Sequence, residues 1–282
     1  ANGIILSTNL APQSLPDVAS DSTGLFLAVW QDYLTATNAP IYYTDIGGTR
    51  INGAGTVLDP GYSLILISTA TNNQEAPVIA AGRANVLVAW QDRRNGRQYS
   101  IYAARVDSAR NVLDPSAFPV GCSTTNSLDP AVAWGGTNFL VAWEDYGFSS
   151  QYWSDIYFGR VSSAGVTLDG TGGVAVCTET NIQSAPAVGW SGTNYLVVWL
   201  NENPEPNSLF GSRIDSGGRI LDSIDPGGFE LFTNRVRRVE PALAPRSNGL
   251  FLVTYSKFRT EGYNSFRIFS SLLDLAPPAL SV

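Results

Sequence analysis

The stretch FLVAWEDY (residues 139–146) has four companions in the same chain: FLAVWQDY at 26–33, VLVAWQDR at 86–93, YLVVWLNE at 195–202 and FLVTYSKF at 251–258. Each is an apolar run that ends in an aromatic residue followed by polar ones. Trp30, Trp90, Trp143, Trp199 and Tyr255 mark one position that returns every 53–60 residues. Self-similarity at such a period signals an array of supersecondary units.

The neighbourhood repeats too. Pro16, Pro77, Pro130, Pro186 and Pro241 precede the aromatic position, and IYYTDI, IYAARV, IYFGRV, LFGSRI and IFSSLL follow it. A VLD-like triplet closes the units at Asp59, Asp114, Asp169 and Asp222. The third unit then reads as four short strands: PAVAW (130–134), FLVAWED (139–145), DIYFGRV (155–161) and GVAVCTE (173–179). A GGTN turn of hairpin type joins the first two, and no stretch carries helical periodicity.

Five units of four antiparallel strands predict an all-β, five-bladed β-propeller in a single domain, 1–282. The blades run over about 16–76, 77–129, 130–185, 186–240 and 241–276. Small residues at one inner-strand position (Ala19, Ala80, Ala133, Gly189, Ala244) suit the place where blades converge. The second strand is apolar on both faces because a neighbouring blade covers each. The last unit lacks an outer strand, and residues 1–15 are expected to supply it, since GIILSTNLAPQSLP (3–16) matches GVAVCTETNIQSAP (173–186). The N-terminal strand would complete the last blade and close the ring.

Composition narrows the chemistry. A net charge of −7 argues against a nucleic-acid partner. No apolar run is long enough to span a bilayer. The absence of His removes imidazole bases and most zinc or copper sites. Cys122 and Cys177 fall at the same outer-strand position of neighbouring blades, ~20 Å apart by sheet spacing, whereas a disulfide needs Cα atoms within ~7 Å. Two free, largely buried thiols are expected.

The pattern P-x-V-A, L-V-x-W-x-D, I-Y-x-x-R-V, G-x-x-L-D resembles repeats of uncharacterised secreted or surface-anchored bacterial and archaeal proteins. The resemblance spans nearly the whole chain and implies a propeller outside the cytoplasm. The opening ANGIILS suits a mature secreted form or a piece of a longer chain. In blade number the chain looks like both tachylectin-type lectins and arabinanase-type glycosidases.

Candidate sites follow from what varies and what recurs. The loops after the second strands diverge most, as YLTATNAP, RRNGRQYS, YGFSSQYWS, NENPEPNS and KFRTEGYNS. Tyr146, Tyr152 and Trp153 could stack on sugars, or fold onto their own blade. Asp32, Asp92, Asp145 and Asn201 end the second strands, either as hairpin caps or as a polar ring offered to a ligand. Asn72, Asn126 and Asn181 lie at the crossovers, where Asn serves tight turns and a carboxamide ring would also suit sugars. Acids near the channel mouth give catalytic candidates Asp17, Asp129 and Glu240, and candidate Ca²⁺ ligands Glu75, Asp129 and Glu240. No cofactor other than Ca²⁺ is expected. The leading expectation is a monomeric, non-catalytic extracellular module that binds a glycan or another cell-surface ligand through its loop face. The alternatives are a glycoside hydrolase or lyase using the mouth carboxylates, and a structural or docking propeller.

Overall fold

A computed structural model of the chain describes residues 3–21, 23–33, 43–61, 64–147, 153–202, 207–222, 227–232, 238–246, 249–259 and 265–275, with the side chains of 238–240 and 259 outside that description. These residues form five antiparallel sheets and no helix. The first comprises β1 (Gln13–Ser20), β2 (Phe26–Asp32), β3 (Asp45–Ile51) and β4 (Ile65–Ser68). The second comprises β5 (Gln74–Ala81), β6 (Asn85–Asp92), β7 (Ser100–Asp107) and β8 (Phe118–Gly121). The third holds β9 (Ser127–Trp134), β10 (Asn138–Asp145), β11 (Asp155–Ser162) and β12 (Val174–Cys177). The fourth holds β13 (Gln183–Trp190), β14 (Asn194–Asn201), β15 (Ser208–Asp215) and β16 (Phe229–Glu230). The fifth has three strands, β17 (Arg238–Arg246), β18 (Leu250–Arg259) and β19 (Ser265–Asp274). In every sheet the strands lie in chain order, as expected of blades.

The core lies between blades. Trp90 packs with Val29, Ile46 and Ile67 of the first blade; Trp143 packs with Ala103 and Val120 of the second; Trp199 packs with Phe158 and Val176 of the third. All three indoles are fully buried, and truncating such a side chain typically costs about 3–5 kcal/mol. The second strands are therefore apolar on both faces, as expected.

One motif was misplaced by the sequence reading. The third strand of the first blade is Asp45–Ile51, not IYYTDI. Its Gly47 and Gly48 disguise it, and a Cβ on Gly48 would come within 2.9 Å of the Ala28 carbonyl. The shift brings Arg50 into a series with Arg105, Arg160 and Arg213. Each of these grips the Asp of its own VLD-like triplet (Asp59, Asp114, Asp169, Asp222) at 2.6–2.9 Å. Each also reaches the next blade, donating to the carbonyl of Ser108, Ser163, Ser216 or Leu275.

Residues 3–12 form no strand. Leu6 nevertheless packs with Ala28, Trp30 and Leu64, as Val120 and Val176 pack against Trp143 and Trp199. Leu6 precedes the start of its inner strand by the same interval as those valines. The segment thus occupies the outer-strand place against the first blade without the ladder to β19. Ile4, Ile5, Ile268 and Leu272 stay exposed.

Both cysteines are free, Cys177 buried and Cys122 half-buried. Burial pushes the Cys177 thiol up to about 11.

Candidate functional site

Strand register defines one working face. Gln13 pairs with Asp32, Asp32 with Asp45 and Ile46 with Ser68. The crossovers between blades and the loops between second and third strands therefore emerge on the same side, at one end of the central channel.

The recurring proline builds the mouth. In each inner strand the ladder skips at the X-Pro pair, leaving a bulge. Proline has no N–H to lose from the ladder. The residue before it turns left-handed: φ is 51° at Leu15, 50° at Ala76, 48° at Asp129 and 50° at Ala185, a costly conformation for a side chain with a Cβ. The bulge residues and prolines ring an open cavity of about 390 Å³, and among the described residues Asp17 and Asp129 are the acids that line it.

The bulges at Ala76, Asp129 and Ala185 each free an amide that the preceding blade satisfies. The residue after the second-strand Trp does so. Gln31 Oε1 accepts from the Ala76 amide at 3.4 Å and Gln91 Oε1 from the Asp129 amide at 3.2 Å. In the third blade a carboxylate takes this place: Glu144 Oε1 accepts from the Ala185 amide at 2.7 Å. Its Oε2 accepts from the Tyr146 hydroxyl at 3.3 Å, just as Gln31 Nε2 donates to Tyr33 Oη at 3.2 Å. Leu200 at the fourth blade cannot accept.

Electrostatics single out Glu144. It is 4% exposed, and burial pushes its carboxyl from the ordinary 4.5 up to about 7, with the charges of Asp129 and Glu202 adding to the rise. Burial and the adjacent carboxylate raise Tyr146 to about 12. Asp129 is exposed to the cavity, and desolvation by the surrounding walls holds its carboxyl above the usual range. Desolvation also raises Asp17, opposed by amide hydrogen bonds from Ile79 at 2.9 Å and Val18 at 2.8 Å, which fix the carboxylate in place.

Other expected site residues turn inward. Asp32, Asp92, Asp145 and Asn201 are buried, at 1, 1, 7 and 5% exposure. Asp32 and Asp92 accept from Trp30 and Trp90 Nε1, Asp92 also holds Arg94, and Asp145 accepts from Ser127 Oγ. Asn201 Nδ2 donates to Glu179. Asn72 is left-handed at φ 63° and the Asn181 carbonyl accepts from Gln183 Nε2, both turn chemistry, while Asn126 Oδ1 accepts from the Tyr99 amide and ties the crossover to the neighbouring loop. Trp153 is 47% exposed, while Tyr152 and the Glu240 side chain lie outside the described residues. Glu75 accepts from Asn73 and Gln91. Among the described residues no three His, Cys, Asp or Glu side chains converge to hold a metal, so the Ca²⁺ ligand set finds no support there.

The residues missed from sequence were Glu144 and Glu202, the latter accepting from Ser184 Oγ at 2.6 Å. Glu144 carried a signal, a Glu where the first two repeats write Gln31 and Gln91.

No protein-family model matches the chain, and no curated protein matches it by sequence. Solved structures do share its fold. An α-L-arabinofuranosidase from Lactobacillus brevis is 12% identical, with a TM-score of 0.52 over 92% of this chain and 90% of that one. A Penicillium chrysogenum α-L-arabinanase is 14% identical, with a TM-score of 0.55 over 91% and 80%. A thermostable family-43 glycoside hydrolase is 10% identical, with a TM-score of 0.52 over 94% and 93%. At such identity the likeness establishes the five-bladed fold. The three carry glycosidase names, which corrects the leading expectation of a non-catalytic recognition module.

Proposed function

We propose that the chain hydrolyses glycosidic bonds at the mouth of its channel, with Asp17 and Asp129 as the working carboxyls. Glycoside hydrolysis needs an acid to protonate the leaving oxygen and a second carboxylate to act as base or nucleophile. Asp17, clamped by two backbone amides, suits the ionised partner. Asp129, desolvated and open to the cavity, suits the acid. Glu144 stands behind as a positioning residue whose charge state tunes the mouth. A polymeric sugar substrate would place the reaction outside the cell, in keeping with the expected secreted character of the repeat.

One observation carries this reading. The fold makes the same inter-blade strut with neutral Gln31 and Gln91, yet the third blade keeps a carboxyl there whose ionisation is strongly opposed. Groups with opposed ionisation cluster where chemistry is done. The competing reading, that Glu144 is a strut alone, leaves its cost without a return.

The test is sugar release from arabinan, xylan and nitrophenyl glycosides between about pH 4 and pH 8. Asp129→Asn should lower kcat about a hundredfold or more at an unchanged melting midpoint, and Asp17→Asn should lower it as much with some loss of stability, because its NH2 meets one of the two backbone N–H donors. Loss of rate in neither variant, or no release by the unaltered protein, sinks the proposal and leaves the structural-propeller reading.

A further inference from the structure

The second residue of the second strand is aromatic in the third, fourth and fifth blades (Phe139, Tyr195 and Phe251), and its ring leans on the inner strand of the blade before. A Cβ on Gly82 would run into the Phe139 ring, one on Gly135 into Tyr195, and one on Gly189 would come within 3.1 Å of Phe251. Trp134 and Trp190 add a second ring, with centroids 4.6 Å from Phe139 and Tyr195. The second blade departs from this pattern. It has Val86 at the ring position, and Val86 pairs across the strands with Ala81 where the third and fourth blades have Trp. A cavity of about 200 Å³ lies at that place, between the first and second blades on the face opposite the acidic mouth. Leu25, Phe26, Leu27, Val86 and Val106 give it apolar walls, with Arg83 at the rim.

We propose that this cavity binds a monocyclic phenol. The corresponding slots between the second and third, third and fourth, and fourth and fifth blades are filled by the chain's own Phe139, Tyr195 and Phe251. Apolar cavities of ring size take up such ligands. The hydroxyl is argued from Tyr195, whose phenol donates to the Asn138 carbonyl at 2.5 Å. That carbonyl also accepts from the Gly135 amide at 2.8 Å. Leu25 holds the equivalent place in the first blade, its carbonyl accepting from the Asp21 amide at 2.9 Å, with a second lone pair to offer. The charged groups in the wall, apart from Arg83 at the exposed rim, are already engaged. Asp21 accepts from the Thr23 and Leu25 amides, Arg50 holds Asp59 and the Ser108 carbonyl, and Asp107 holds Asn111. A neutral ring with one hydroxyl therefore fits better than a charged ligand.

The test is phenol titrated into the full chain, followed in its amide NMR spectrum. Saturable shifts confined to Leu25–Leu27, Val86 and Val106–Ser108 are expected, with cyclohexanol binding more weakly. Val86→Phe refills the slot with the side chain the other blades use and should weaken binding about tenfold or more. Ala81→Trp fills it from the opposite strand and serves if the first variant does not fold. Absence of saturable shifts, shifts located elsewhere, or unchanged binding in a folded filling variant overturns the proposal.

Discussion

Replacing Glu144 by Gln tests whether a carboxyl is held in the inter-blade strut against its own ionisation. The variant copies what the chain does at Gln31, so the bonds to the Ala185 amide and to Tyr146 both survive, with Tyr146 Oη now accepting. Only the charge goes. Glu144 is raised in the folded protein from 4.5 to about 7. Between those values the folded state keeps a proton that the unfolded chain has lost, so unfolding free energy falls as pH rises through this window. At about 1.4 kcal/mol per pH unit the loss is of order 3 kcal/mol above pH 7. Urea unfolding of both proteins from about pH 4 to pH 8 reads it out. Wild type and variant should agree near pH 4, and the variant should lead by about 3 kcal/mol near pH 8. Under the proposed function the variant also loses a limb of the pH–rate profile near neutrality. Parallel stability curves across the range would refute the reasoning.

Three further outcomes follow from the repeat. Arg160→Ala removes a bidentate grip on Asp169 and the tie to Ser216 in the next blade, and should cost about 2 kcal/mol in urea unfolding; a loss under about 0.5 kcal/mol would make the latch ornamental. Leu6→Ala should cost about 1–2 kcal/mol, because Leu6 covers Trp30 and Leu64 in the outer-strand position; an unchanged midpoint would mean that the N-terminal segment carries no load. Asp155 faces Asp145 across β10 and β11, and burial plus that charge raises it from 3.8 to about 6, so stability falls as pH climbs through this window. Asp155→Ser, the residue used at Ser100 and Ser208, should gain about 1 kcal/mol above pH 6 after discounting for solvent screening, and nothing near pH 3; a gain at both pH values would point to a cause other than charge.

The ring was legible in the sequence because burial on both faces leaves little freedom at Trp90, Trp143 and Trp199, and the chain repeats what the packing demands. The Pro positions were legible for the same reason, though not their role. They mark a bulge, and its left-handed partner aims an amide at the previous blade. IYYTDI misled because its apolar letters imitate the motif, while Gly47 and Gly48 disguise the strand that begins at Asp45. Asp32, Asp92 and Asp145 could be read as caps or as ligand groups, and only burial decided for caps. The mouth acids were half legible: Asp17 and Asp129 stand out beside their prolines. Glu144 sits inside the most repetitive segment, where attention goes to the pattern and away from the single altered letter. Val86 was hidden in the same way, a small deviation in a strand that otherwise conforms.

The central claim is that burial moves the ionisation of a carboxyl behind the channel mouth up to near neutral pH. A carbon-detected NMR titration of the Glu144 carboxyl tests it most directly, with Glu144→Gln assigning the signal by its loss. The account predicts a midpoint near 7. A midpoint at the ordinary 4.5 would show an unstrained surface-like acid, and the case for chemistry at this mouth would lose its main support.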